Sequence, residues 1–423
     1  MNLFAGIVSV KGISCLMFSV FIVASLGYLL GRITVKGVSL GTAGVFIIAL
    51  LFGCFFYSVL EGELKVKIEN YDSFANYTSN ALKIIENLGL VLFVTSVGFI
   101  AGPSFFSNLR TNFKSYILLG VLIIVVGGLS CAACIMFDIK AFGKNAEEAA
   151  AMLVGLLSGS LTSTPAFSAA KATVATAELE SIVAVGHGIA YIYGVIGVVL
   201  FVQIVPKLIG ANMEEERAHL VVVDAGKKKV YNGKLIEMDA YGFMPFALAA
   251  VVGIVVGGID WGKMIGAVLR HPEWSFTLTT TGGCLFVSLI FGHFAHVGPV
   301  DITPLNITLK EFRELGLMLF LIGAGIAGGA SFVKYFEWVY FIYGIIMTTV
   351  PLIVGYFFAR YVLKLSLLNN LGSITGGMTS TPALGTLIAT SGTENVASAY
   401  ASTYPMALIA VVIVSQVLII LFR

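Results

Sequence analysis

Apolar and charged positions segregate along this chain instead of alternating. Between successive Asp, Glu, Lys or Arg residues lie twelve largely apolar runs of 19 to 29 residues: 12–31, 37–60, 87–109, 115–137, 149–170, 181–206, 240–259, 274–300, 315–333, 338–359, 365–393 and 395–422. About 20 apolar residues carry a helix across the hydrocarbon of a bilayer, and every run reaches that length or falls one residue short. A transmembrane β-barrel shows short alternating segments, a pattern this sequence lacks. The expectation is an all-α polytopic membrane protein with the lipid bilayer as its solvent. The first run reads as a retained helix, because no small-residue cleavage pattern follows it.

Two runs contradict their own apolar character. "LLSGSLTSTPAF" (156–167) and "SITGGMTSTPAL" (373–384) place hydroxyls, glycines and a proline at membrane depth. Pro165 and Pro382 have no N–H to donate, and they push Thr164 and Thr381 away from helical geometry. Such a break is tolerated only where the backbone is buried in protein or faces water. Each run is therefore expected to be re-entrant, with two half-helices meeting at a tip and the second starting at Pro165 or Pro382. Ten true crossings remain.

The broken runs belong to a duplication. "GLLSGSLTSTPA" (155–166) matches "GSITGGMTSTPA" (372–383), and "LGLVLFVTSVGFIAG" (88–102) matches "LGLMLFLIGAGIAGG" (315–329). "SLGTAGVFIIALLFG" (39–53) resembles "TLTTTGGCLFVSLIFG" (277–292) in the same order. Residues 1–206 form a first membrane repeat, 207–239 a short polar linker and 240–423 a second repeat. Five crossings per half, an odd number, make the repeats inverted, an arrangement found with broken helices in secondary transporters. With the linker on the cytoplasmic side, the inner loops hold the larger share of Lys and Arg.

Composition narrows the chemistry. The net charge is +2, with no basic cluster to suggest a nucleic-acid partner, and the mean hydropathy is +0.97. Cys131 and Cys134 have CxxC spacing but no second pair or nearby histidine, so they read as small apolar filler. The 47 glycines suit close helix packing in lipid. No P-loop, HExxH or GxSxG motif occurs, which leaves ATP-driven pumping and common hydrolase chemistry without support.

Serine and threonine are good helix caps, and proline is favoured in a first helical turn. Two half-helix N-termini would then face one central space, an anion site made without a cationic side chain. Ser158, Thr162, Ser163, Thr164, Thr375, Thr379, Ser380 and Thr381 would supply hydroxyls and caps, ahead of Pro165 and Pro382. Gly159, Gly376 and Gly377 would let a solute approach the backbone. His187, with Tyr191 and the matching Tyr400 and Tyr404, could relay a proton or gate the site; a hydrogen-bonded structural histidine is the plain alternative. No metal or resident cofactor is expected, and Na⁺ or H⁺ could serve as coupling ion.

These paired motifs, each preceded by an "LGLxLF" helix, resemble the aspartate:alanine exchanger family, whose repeating unit is the YidE/YbjL duplication domain. The resemblance covers nearly the whole chain. It implies a secondary transporter of the bacterial inner membrane, exchanging acidic amino acids or related carboxylates such as aspartate and alanine; an elevator-like motion of the bundle carrying both tips, and a homodimer, are further expectations. A cation-coupled dicarboxylate or amino-acid symporter and an anion channel are the alternatives. The family commonly carries central regulatory domains similar to the C-terminal domains of potassium-uptake regulators, and 207–239 is too short for them; "VVVDAGKKKVYNGKLI" reads as a small hairpin. Pro382→Ala is expected to make the second tip a continuous helix and abolish transport.

Overall fold

The computed structural model describes residues 2–3, 8–35, 38–39, 42–67, 74–111, 113–221, 235–261, 263 and 277–423. The hairpin expected in the linker falls almost entirely outside them. Helices dominate: α1 (Gly12–Gly31), α2 (Ala43–Glu63), α3 (Thr78–Thr111), α4 (Leu118–Phe142), α5 (Ala146–Ser160), α6 (Thr164–Thr173), α7 (Ala177–Leu208) and α8 (Met213–Ala218) precede the end of the linker. After it come α9 (Phe243–Gly258), α10 (Thr279–Phe294), α11 (Asn306–Tyr335), α12 (Trp338–Phe357), α13 (Leu367–Gly377), α14 (Thr381–Ser391) and α15 (Ala397–Leu421). The described strands form only two-stranded antiparallel pairs of two or three residues.

Eight helices among the described residues are long and apolar enough to cross a membrane. The other two expected crossings, α9 and α10, have 16 residues each, about 24 Å at the rise of an α-helix. The protein is an all-α polytopic membrane protein. Local signals set the helix ends: the Asn145 side chain accepts from the amides of Glu147 and Glu148 to start α5, and Thr176 caps α7 through the Leu179 amide. Gly143 and Gly392, both at positive φ, close α4 and α14.

The helices sort into two bundles. One holds α1, α2, α3, α9, α10 and α11; the other holds α4 to α7 and α12 to α15, and α7, α15 and α6 touch the first bundle. Small residues let the backbones meet. A Cβ added at Gly89 would lie 2.3 Å from the Phe320 amide nitrogen, and one at Gly316 would lie 2.5 Å from that of Phe93. These contacts are reciprocal between the positions that the two matching motifs pair. Gly316 faces Gly89 while Gly323 faces Leu82 and Glu86, so α3 and α11 run antiparallel. The α1/α2 contact, where Gly44 meets Gly27 and Gly31, recurs in α9/α10, where Gly283 meets Gly253 and Gly257.

Candidate functional site

Both broken runs are interrupted as expected, and the two breaks share one geometry. After α5, the Thr162 amide donates to the Gly159 carbonyl at 2.9 Å and the Ser163 amide to the Ser158 carbonyl at 2.8 Å. After α13, Thr379 donates to Gly376 at 3.1 Å and Ser380 to Thr375 at 3.0 Å. This is the Schellman helix end, in which the residue past the cap turns left-handed and is usually glycine. Here it is threonine, with φ 51° at Thr162 and 52° at Thr379. A β-branched residue in that region is strained by about 1–2 kcal/mol.

The side chains show what glycine could not do. Thr162 Oγ1 donates to the Met378 carbonyl at 3.2 Å, and Thr379 Oγ1 donates to the Leu161 carbonyl at 2.8 Å. Met378 and Leu161 are the residues that end the two first half-helices. Each strained threonine thus satisfies a helix-terminal carbonyl of the opposite tip, and the tips are bonded to each other.

The second half-helices begin one residue earlier than the sequence reading placed them. Ser163 and Ser380 stand at the cap positions, Thr164 and Thr381 are the first helical residues, and the prolines are second. The Ser163 hydroxyl accepts from the Ala166 amide at 3.3 Å, whereas the Ser380 hydroxyl is buried with no partner among the described residues.

A cavity of about 340 Å³ lies where the tips meet. Thr162, Ser163, Thr164, Pro165, Thr379, Thr381 and Pro382 line it, with Tyr191, Tyr404, Thr42, Arg313 and Glu314 among the other wall residues. Tyr400 lines an adjoining cavity with Tyr404 and Arg313, and its ring stacks on Tyr404 at 5.0 Å. Its hydroxyl lies 3.4 Å from Thr381 Oγ1.

Other expected site residues stand behind this wall. Ser158 and Thr375 donate back to the carbonyls of Gly155 and Gly372. Gly159 and Gly376 serve helix packing: an added Cβ would lie 2.4 Å from the His187 carbonyl oxygen and 2.6 Å from that of Tyr400. Gly377 faces a side chain instead, with an added Cβ 2.5 Å from Cδ1 of Ile123. His187 is fully buried, with Nδ1 2.8 Å from Ser158 Oγ and its ring stacked on Phe167 at 4.2 Å.

The expectation of a site without a cation is corrected by Arg313. This residue, near the start of α11, lines the tip cavity and two adjoining ones. Its Nε and Nη2 donate to Glu314 Oε1 at 3.2 and 2.7 Å. The one sequence signal was its place just outside an apolar run. A second unforeseen feature is a buried ion pair, Lys171 Nζ to Glu86 Oε1 at 2.7 Å, between α6 and α3.

The comparisons with known proteins agree with this architecture. Residues 19–207 and 245–420 match the family described as predicted permease membrane region, Asp-Al_Ex. The chain belongs to this permease family. It is similar to an uncharacterized transporter of Bacteroides thetaiotaomicron, 24% identical over 558 positions that cover 95% of this chain and 97% of the relative. An uncharacterized transporter of Bacteroides fragilis is 25% identical, with the same two coverages. One from Desulfotalea psychrophila is 24% identical over 85% of this chain and 94% of its own length. The 558 aligned positions exceed the 423 residues of this permease, so the first relative holds segments with no counterpart here. The protein is a membrane transporter and not an enzyme.

Proposed function

We propose that this permease is a secondary carrier that binds a small carboxylate anion between its two tips and moves it by alternating access. Its substrates on this reading are acidic amino acids or related carboxylates, such as aspartate exchanged for alanine, across a bacterial inner membrane. The observation that carries the reading is a cavity on which both tips, two tyrosines and Arg313 converge. Helix N-termini favour negative charge, and a guanidinium matches a carboxylate in shape and charge. The volume falls in the range of small-molecule sites.

Two further observations support alternating access. The equivalent helices α3 and α11 are antiparallel with reciprocal contacts, which supports reading the two halves as inverted repeats. The tips are also unequally covered: residues 164–171 of α6 are all buried, whereas Thr381 and Gly385 of α14 are exposed. Exchanging these environments between the halves would open the site to the opposite face. The bundle holding both tips would move past the other, in an elevator-like step.

Sealed vesicles containing the purified protein test this. Vesicles preloaded with unlabelled aspartate should take up labelled aspartate or succinate faster than empty ones. Uptake indifferent to preloading refutes exchange, and uptake driven by a sodium gradient alone marks a symporter instead.

A further inference from the structure

The two repeats carry different charges at one equivalent position. Glu86 stands two residues before the "LGL" that begins at Leu88, and Arg313 stands two residues before the "LGL" that begins at Leu315. Lys171 lies six residues after Pro165; six residues after Pro382 stands Ile388. The first repeat can therefore join its half-helix α6 to α3 by an ion pair, and the second repeat has no equivalent pair to join α14 to α11.

The structure makes that one possible pair. Lys171 Nζ lies 2.7 Å from Glu86 Oε1, and the two side chains are only 7% and 10% exposed. Lys171 also lies 5.8 Å above the Phe167 ring, which stacks on His187. One turn nearer the tip, Ser168 Oγ is 2.9 Å from Thr281 Oγ1 of α10. Among the described residues no ion pair holds α14, although the Ser391 carbonyl at its far end accepts from Arg217 Nη1 at 2.9 Å. A Cβ placed on Gly385, the counterpart of Ser168, meets nothing within 4 Å. Thr42, the counterpart of Thr281, lines the open cavity together with Arg313.

We infer that Lys171 and Glu86 form a positioning pair: joined while the first tip is shut against α3 and α10, and separated into water each time that face opens. The inference rests on the alternating access proposed above. A buried pair tolerates two situations, both charges together away from water or both hydrated, and penalises one charge left alone inside. It therefore favours a fully shut or a fully open first tip over anything between. Neutralising one partner leaves a lone charge that only the opposite-facing state can hydrate, so the population should move there. Replacing both partners by apolar side chains removes the lone charge and lets the first tip shut again.

Two reporter cysteines read this out in detergent by maleimide labelling above the parent background. Gly385→Cys should label quickly and Ser168→Cys slowly in the otherwise unaltered protein. Adding Lys171→Met or Glu86→Leu should slow the first and speed the second, each by about tenfold or more. Combining Lys171→Met with Glu86→Leu, or exchanging the charges as Lys171→Glu with Glu86→Lys, should restore the original pattern. Unchanged labelling in the single variants overturns the inference. So does faster labelling at both reporters, which would mean that the pair only holds the fold together. Preloading-dependent uptake by the parent protein is measured alongside. If exchange is present and the labelling does not shift, the pair has failed but the carrier has not; if exchange is absent, the functional reading itself has failed.

Discussion

Thr162 and Thr379 hold each other across the site, each donating its hydroxyl to the carbonyl that ends the other's preceding helix. The strain at each residue is the cost of placing a hydroxyl where a glycine would sit more easily. Thr379→Val keeps the branched side chain but removes the donor to Leu161, and should lower stability by about 1–3 kcal/mol. Thr379→Ser keeps the donor and should stay close to the parent. Thermal melting of the purified variants checks both, and equal melting of the valine and serine forms would show that the cross-tip bond contributes nothing.

The same geometry revises the expectation for Pro382. The helix before it is already ended by the left-handed Thr379, and Pro382 occupies the second position of α14, where a missing N–H removes no intrahelical bond. Pro382→Ala should therefore keep the break, cost no more than about 1 kcal/mol, and retain most of the transport. Initial uptake rates in vesicles decide it: loss of transport would give the proline a role beyond starting the helix.

Arg313 shares its guanidinium with Glu314 in this structure, and a substrate carboxylate would compete for it. Arg313→Ala should raise the KM for an anionic substrate by about tenfold or more, the scale of one lost hydrogen bond to a charged group. Glu314→Gln should lower the KM by freeing the guanidinium. Opposite shifts in uptake kinetics support the site; unaltered KM in both variants places Arg313 outside it.

Gly89 and Gly316 are equivalent positions that each receive the other helix's backbone. Alanine at either should overpack the contact by about 1–3 kcal/mol. The two losses should be similar, because the contacts are reciprocal. Strongly unequal melting shifts would deny the two-fold relation between α3 and α11.

Asp239 lies outside the membrane-spanning helices, at the entry to α9. The Met244 amide, with those of Phe243, Tyr241 and Gly242, holds its carboxyl below the usual carboxylate range. A lowered value stabilises the folded protein above the unfolded-chain pKa of about 3.9, and this contribution disappears as pH falls through the folded one. The melting difference between the parent and Asp239→Asn should be full at neutral pH and close under acid. A difference that persists at pH about 2 would not come from this ionisation.

By itself the sequence determined what depends on neighbours along the chain. Charge-free length predicts spans, and the helix-breaking residues in and around "LTSTP" and "MTSTP" mark two of them as interrupted wherever the helices pack. The matching motifs at Leu88 and Leu315 made the duplication visible. Tertiary structure decided what depends on residues far apart in sequence. It turned Gly159 and Gly376 toward neighbouring helices instead of the cavity, because those backbones approach within van der Waals range of α7 and α15. It brought Arg313 to the tips and buried Lys171 against Glu86, contacts across folded segments that no local spacing encodes. It also decided which of two matched tips is covered, because the differences between Lys171 and Ile388 or Ser168 and Gly385 act only through partners distant in sequence.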